Sequence, residues 1–405
     1  MEKRASLFQE CGGNEKTMEE GAFINPSGRL VTRVSPGGEE YRAFVPAALP
    51  PAEEREAILP LTRLLGDANH ALGQLDGVGS MLQDPDLLVR PYMRREAVRS
   101  SRIEGTQASF ADLVTFEATD LRLEKGDVRE VYNYLDALDY GLRHIHDDGP
   151  GHDLVRMLHC RLLTEVRGER FGTPGEFRTI QNHIGGPGPL KSASFVPPPP
   201  DEMVESLDAL VEYMQADKPQ TPLLVELAWV HYQFEAIHPF IDGNGRVGRL
   251  LIPLVLAERR RLSHPLLYLS PYFEAHRQRY YDLLFAVSAR SAWQAWLEFF
   301  LRGVLEQAQE GVDLARRLLG LYEDWRQRLL GAKSPANAHR ALELVQRSIA
   351  VDAAMVEHEL GVATQTAYKQ ISVLERLGII REVTGRSHGR LYVATELLEV
   401  MDGAA

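Results

Sequence analysis

Two cysteines in 405 residues, Cys11 and Cys160, are too few and too far apart for a disulfide framework or a thiolate zinc site. A reducing cytoplasm is the compartment that such usage fits. No run of 18 apolar residues occurs, and the opening Met-Glu-Lys-Arg, followed by Gln9, Glu10 and Gly12, lacks the apolar stretch of a secretory leader. Neither membrane insertion nor secretion is expected. Positive charge is also short: 45 Lys and Arg stand against 57 Asp and Glu, for a net charge of −12. That excludes a protein that coats nucleic acid through bulk charge, while a local basic patch stays open.

What the chain does have is apolar residues at helical spacing over most of its length, and 44% hydrophobic residues suffice for two or three domains with real cores. Helices are predicted over 51–79, 86–103, 127–145, 153–166, 222–237, 275–287, 293–305 and 307–330. The first 50 residues mix glycine, proline and charge, with extended candidates at 30–34 and 41–45, and read as an arm against the body. Residues 172–200 are rich in Gly and Pro; short extended runs at 177–180 and 194–196 predict a hairpin flap. Residues 332–338, with Lys333, Ser334 and Pro335, read as a linker. Beyond it, helices over 341–349, 352–359 and 364–377, then strands over 379–383 and 391–393, predict a winged helix-turn-helix. Gln365, Thr366, Tyr368 and Lys369 are placed to face a DNA groove, and Arg386 and Arg390 to meet phosphates. An interaction module of the same fold is the alternative.

The densest chemistry lies in His238 to Arg249, reading His-Pro-Phe-Ile-Asp-Gly-Asn-Gly-Arg-Val-Gly-Arg. A helix over 222–237 delivers His238 to its end, and Pro239 discourages continuation. A second helix is predicted from Asn244 through Val255, with Gly243, Asn244 and Gly245 feeding its N-terminus. Glycine lets backbone approach a ligand, and the free N–H groups of a first helical turn favour an anion, most simply a phosphate. Arg246 and Arg249 share a helix face and can grip successive phosphates, while Asp242 offers the hard oxygen that a phosphate-bound magnesium ion needs. His238 is then the base that takes a proton from an incoming hydroxyl in a displacement at phosphorus.

This stretch resembles the Fic family, whose motif His-x-Phe-x-(Asp/Glu)-Gly-Asn-Gly-Arg-x-x-Arg it matches at every defined position. The resemblance implies transfer of AMP from ATP to a Ser, Thr or Tyr hydroxyl of a protein, itself included, with release of pyrophosphate. It implies His238 as base, Asp242 as magnesium ligand, Asn244 and the loop amides at the α-phosphate, and Arg246 and Arg249 at the outer phosphates. The family's inhibitory helix carries (Ser/Thr)-x-x-x-Glu-(Gly/Asn), and Ser100, Glu104 and Gly105 fit it. By resemblance Glu104 pairs with Arg249 and blocks placement of the γ-phosphate. Residues 181–186, Gln-Asn-His-Ile-Gly-Gly, resemble the family's flap, with His183 where an aromatic such as Trp is usual. Tyr280 and Tyr281 resemble its paired tyrosines, and Tyr281 is the choice for the adenine pocket.

The expected architecture is therefore mainly α: a Fic-type helical bundle with a small β-hairpin flap, followed by a winged helix-turn-helix domain. Its divisions are an N-terminal arm and helical region over 1–84 and a catalytic core over 85–305, with the inhibitory helix at 86–105 and the flap at 177–196. A connecting helix and linker over 306–338 and a winged helix over 339–405 complete it. The leading expectation is an autoinhibited protein adenylyltransferase that uses ATP and magnesium and forms a homodimer. Removal of AMP from a modified protein, transfer of another phosphate-linked group, and a nucleotide-sensing DNA-binding regulator are the alternatives.

Overall fold

The computed structural model describes residues 18, 20–82, 84–119, 126–166, 172–185, 190, 193–218, 220–386 and 388–402. Cys11, Gly12, Gly186 and the Ser387 of the C-terminal turn lie outside the described residues. The fold is mainly helical, with two small antiparallel sheets.

Strands β1 (Gly28–Val34) and β2 (Glu40–Pro46) pair antiparallel, in register from Gly28↔Pro46 to Val34↔Glu40. Gly38, at φ 81°, turns the chain between them in a conformation that favours glycine. The hairpin buries Val31, Ala43, Phe44 and Val45 in a small core shared with Phe23, Phe195, Val196 and Ala289. Phe44 N–H also donates to the Val196 carbonyl at 2.9 Å, so the residues read as an arm are fastened to the flap.

Helix α1 (Glu54–Ile58) leads to α2 (Thr62–Ser80) and α3 (Asp86–Ile103). Gly105, at φ 93°, turns the chain after α3. An unpredicted helix, α4 (Phe110–Ala118), opens on a capping box in which Ser109 Oγ accepts from Asp112 N–H and the Asp112 carboxylate accepts from Ser109 N–H. Helices α5 (Asp127–Asp148) and α6 (His152–Leu163) pack side by side. The end of α6 falls short of the expected residue 166. Thr164 is already extended, and the Asn133 amide caps the helix by donating to the carbonyls of Leu162 (3.3 Å) and Thr164 (2.6 Å).

The flap differs from its prediction. Residues 177–180 form no strand, because Arg178 turns inward, 2% exposed, and donates to the carbonyls of His238, Pro198, Ile180 and Ile237. The pairing shifts to Ile184↔Phe195, an isolated antiparallel bridge with bonds of 2.8 and 3.1 Å.

Next come α7 (Pro200–Gln215), α8 (Leu223–Ile237), α9 (Asn244–Glu258), α10 (Ser270–Ala275) and α11 (Arg277–Arg290). Helix α8 is apolar nearly all round and buries residues on every face, as a central helix must. The two helices expected over 293–305 and 307–330 are one, α12 (Trp293–Gly331), 39 residues long. Nothing at Glu306 breaks it, and two of its interior glycines mark close packing. A Cβ at Gly303 would lie 2.8 Å from Tyr272, and one at Gly311 3.0 Å from Leu75 of α2.

The last unit is α13 (Ala336–Ser348), β3 (Ala350–Val351), α14 (Ala353–Leu360), α15 (Thr364–Arg376), β4 (Arg381–Glu382), β5 (Tyr392–Val393) and α16 (Thr395–Asp402). Its sheet runs β3-β5-β4, antiparallel throughout, and Gly361 at φ 64° ends α14. The predicted linker is shorter than expected, since α13 has begun by Ala336. The unit is moored to α3: Arg347 pairs with Asp84 at 2.8 Å, and the buried Arg94 of α3 donates to the Arg347 carbonyl at 3.2 Å while gripping Glu117 of α4 with both arms.

Candidate functional site

Helix α8 ends where His238 takes the left-handed conformation, φ 51° and ψ 60°, with Pro239 next. This strained backbone is held from outside: Arg178 Nε donates to the His238 carbonyl at 2.9 Å. His238 Nδ1–H donates to the Glu235 carbonyl at 3.2 Å, which leaves the Nε2 lone pair free of that bond. Burial lowers the imidazole pKa, the Glu235 carbonyl opposes and the Arg178 charge lowers it further, to about 4. The ring is therefore neutral at neutral pH and able to accept a proton.

The loop that follows is held by its own side chains. Asn244, 2% exposed, accepts from Phe240 N–H and donates to the Phe240 carbonyl, both at 2.8 Å, so its side chain clamps the loop onto itself. His159 of α6 does a related job. Its Nε2–H donates to the Asp242 carbonyl at 3.0 Å, its Nδ1 accepts from Gly175 N–H at 2.9 Å, and its ring stacks on Phe240 at 3.7 Å. Burial lowers the His159 pKa to about 4, so both bonds persist at neutral pH. Gly243, at φ 82°, passes under this ring, and a Cβ there would lie 3.4 Å from it. At Gly245 a Cβ would sit 2.5 Å from Glu104 Oε1 and 2.9 Å from Arg249 Nη1, so it would push the paired side-chain ends aside.

The Asp242 carboxylate is 41% exposed, and its Oδ1 accepts from Gly243 N–H at 2.7 Å. No group of three His, Cys, Asp or Glu suited to a metal occurs among the described residues. A single accessible carboxylate beside a helix start fits magnesium, which takes one or two protein carboxylates and fills the rest of its shell with water and phosphate oxygen.

The two arginines have unlike partners. Arg246, 1% exposed, pairs with Glu130 of α5 at 3.3 Å and lies 3.9 Å from Asp242. Arg249, 2% exposed, donates from Nε to Ser100 Oγ at 2.8 Å, and from Nη2 to the Ser100 carbonyl at 3.2 Å and to Glu104 Oε1 at 2.7 Å. Burial alone would raise the Glu104 pKa, but the Arg249 guanidinium outweighs it and holds the carboxyl below its ordinary value. Glu104 does the reverse to Arg249, whose pKa is raised.

Tyr280 is a core residue, 1% exposed, hydrogen-bonded at 2.9 Å to His231, which itself donates to the Gly248 carbonyl. Tyr281 is half-buried and sits in the field of Glu104 and Arg249, with Arg277 5.8 Å from its ring centre. The fold thus brings His238, Asp242, Gly243, Asn244, Gly245, Arg246, Arg249, Ser100 and Glu104 together, with Tyr281 at their margin. His159, Arg178 and Glu130 complete the site and carry no local sequence signal, since each is set by a contact with a distant element.

Fold and site together define a helical protein with a glycine-lined helix start, a neutral histidine before it and an internal carboxylate on Arg249. Residues 62–143 match the family described as Fic/DOC family N-terminal, and residues 151–256 match the Fic/DOC family. Across these residues the chain belongs to the Fic/DOC family. It is 28% identical over 220 residues to the protein adenylyltransferase Fic of Culex quinquefasciatus, covering 52% of this chain and 39% of that one. It is 35% identical over 93 residues to a probable protein adenylyltransferase of Aquifex aeolicus, covering 23% of this chain and 27% of that one. The chain therefore spans about two fifths or less of these curated relatives. The crystal structure of a Fic family protein from Desulfovibrio desulfuricans G20 shares the fold, with a TM-score of 0.53 and 20% identity over 82% of this chain and 95% of that one. No helix among the described residues is long and apolar enough to cross a membrane.

The lowered pKa of Glu104 fixes a sign. Its pairing with Arg249 stabilises the fold fully above about pH 4.3, the ordinary glutamate value, and that contribution is lost as pH falls through the lower folded value. Thermal unfolding followed from pH 6 to pH 3 is expected to show a steeper acid loss for the parent than for Glu104→Gln. Parallel curves would contradict the pairing.

Proposed function

We propose that this protein transfers AMP from ATP to a Ser, Thr or Tyr hydroxyl of a protein, and that Glu104 restrains it from within. The observation that supports this best is the single constellation of a neutral His238, a glycine-lined helix start and an Arg249 already engaged by a carboxylate. In this reading His238 Nε2 accepts the hydroxyl proton as the oxygen attacks the α-phosphorus. The bond from that phosphorus to the bridging oxygen breaks, and pyrophosphate leaves. The first N–H groups of α9 stabilise charge on the α-phosphate, and Arg249 meets the outer phosphates once Glu104 has left it. Arg246, tied to Glu130, adds positive field from beneath the loop. Asp242 would hold a magnesium ion that shields the phosphate charge.

With labelled ATP and magnesium, transfer to the protein or to an added partner is expected to fall about 100-fold or more in His238→Ala and to rise in Glu104→Gly. Equal transfer by the parent and both variants would refute the assignment. Mass spectrometry of the same mixtures separates AMP transfer from removal of AMP and from transfer of another phosphate-linked group. The homodimer and the cytoplasmic location remain part of this proposal.

One observation favours a second role for the C-terminal unit, which we read as a winged helix over 339–405 beside a catalytic core over 85–305. On α15, Thr364, Gln365, Tyr368 and Lys369 are exposed along one polar face, and Arg386 and Arg390 are exposed in the turn that follows. Glu382, which would repel DNA there, is turned back to accept from Thr384 and Gly385 N–H groups. A mobility-shift assay on random duplexes at about 50 mM salt, where phosphate contacts are strong, is expected to retard the DNA, less so with Arg386→Ala. No retardation of any duplex would sink this role.

A further inference from the structure

Gly245, Gly248 and Arg249 share one face of α9, and each glycine lies against a carboxylate oxygen. At Gly245 that oxygen is Glu104 Oε1; at Gly248 a Cβ would sit 2.4 Å from Glu235 Oε1. Position 248 is undefined in the motif the chain resembles, so the motif gives no reason for a glycine here. In the structure Gly248 leaves the Glu235 carboxyl end lying against the helix, where a Cβ would push it aside. This second carboxylate belongs to the last turn of α8, three residues before His238. Its Oε1 is buried and has no hydrogen-bond partner, a condition that in a native protein calls for an explanation. The charges facing it are Arg249 from α9, Glu104 from the end of α3 and the Tyr280 hydroxyl from α11. Burial pushes its pKa up, Arg249 opposes this and the like charge of Glu104 adds to it, giving about 7.

The geometry points to Glu235 as a positioning residue for Arg249, a second internal carboxylate that takes the guanidinium when Glu104 leaves and holds it for the incoming polyphosphate. This rests on the reading of Arg249 as the arm that meets the outer phosphates. A buried guanidinium stripped of its counter-charge is unstable. Departure of Glu104 removes the like charge that opposes ionisation of Glu235, so the second carboxylate becomes negative at the moment it is needed. Gly248 leaves room for it to reach the neighbouring Arg249, and Ser100 keeps its hold on Nε.

Thermal unfolding of the full chain without nucleotide tests this. The raised pKa means that the contribution of Glu235 to stability is fully present below about pH 4.3 and is lost as pH rises through about 7. At pH 8 Glu235→Gln is therefore expected to raise Tm by about 2 °C in the parent, where it relieves a buried like charge. In the Glu104→Gln background at pH 8, the same substitution is expected to lower Tm by a similar amount, because Arg249 then loses its last carboxylate. At pH 6 the rise in the parent is expected to shrink. The reversal of sign between backgrounds supports the inference, and a shift in the same direction in both overturns it. No nucleotide enters this measurement. Failure of AMP transfer in every variant would thus count against the transferase reading, and the sign of the shift would still decide the role of Glu235.

Discussion

The contact on which the rest of the site depends is the ion pair between Arg249 and Glu104, 2.7 Å long with the guanidinium 1% exposed. An arginine so far from water must have a counter-charge, and removing it would cost about 3–5 kcal/mol. The protein supplies that charge from an element outside the cradle. Ser100 and Glu104, four residues apart, stand on one side of the end of α3, so a single helix end satisfies Nε and Nη2 together. Gly105 then turns the chain, and Gly245 keeps the opposite surface free of a side chain. A phosphate seeking Arg249 must displace a partner that already fits.

The partner of Arg249 therefore depends on where α3 ends, and α3 is held at several points along its length. Near its middle, buried Glu96 accepts from Tyr134 of α5 and Ser270 of α10. Further toward its start, Tyr92 donates to the Gly311 carbonyl of α12, and Arg94 joins Glu117 to the carbonyl of Arg347. The C-terminal unit thus rests on the helix that ends in Glu104. The two arginines of α9 divide the labour accordingly: Arg246 is neutralised permanently by Glu130 in the core, whereas the partner of Arg249 lies at a helix end with a third of its side chain exposed.

Much of this was legible in the sequence because it is local. The order of residues from His238 to Arg249 fixes a base at a helix end, a glycine loop and a second helix start, and the interval from Ser100 to Glu104 fixes a shared helix face. The capping box at Ser109 and Asp112 was equally local, yet α4 was not predicted, because its apolar run is short. Other features were illegible for a physical reason. Glu130 meets Arg246 of α9 and His159 meets the loop across 116 and 83 residues, and the packing of α5 and α6 on α9 brings them there. The strand expected at 177–180 obeyed its local pattern, but Arg178 found four carbonyls, two of them buried, and satisfying those outweighs a two-stranded ladder. The clamp that the Asn244 side chain closes on Phe240 is likewise a property of the folded loop.

If Arg249 is shared between Glu104 and the outer phosphates, the competition must depend on how many phosphates a ligand carries. Calorimetric titration of the parent and of Glu104→Ala with ATP and with AMP, under the same magnesium and salt, measures this directly. The account predicts that Glu104→Ala gains about tenfold or more in affinity for ATP, in keeping with charge-assisted bonds regained at one guanidinium, and little for AMP. An equal gain for both ligands, or none for ATP, would contradict it.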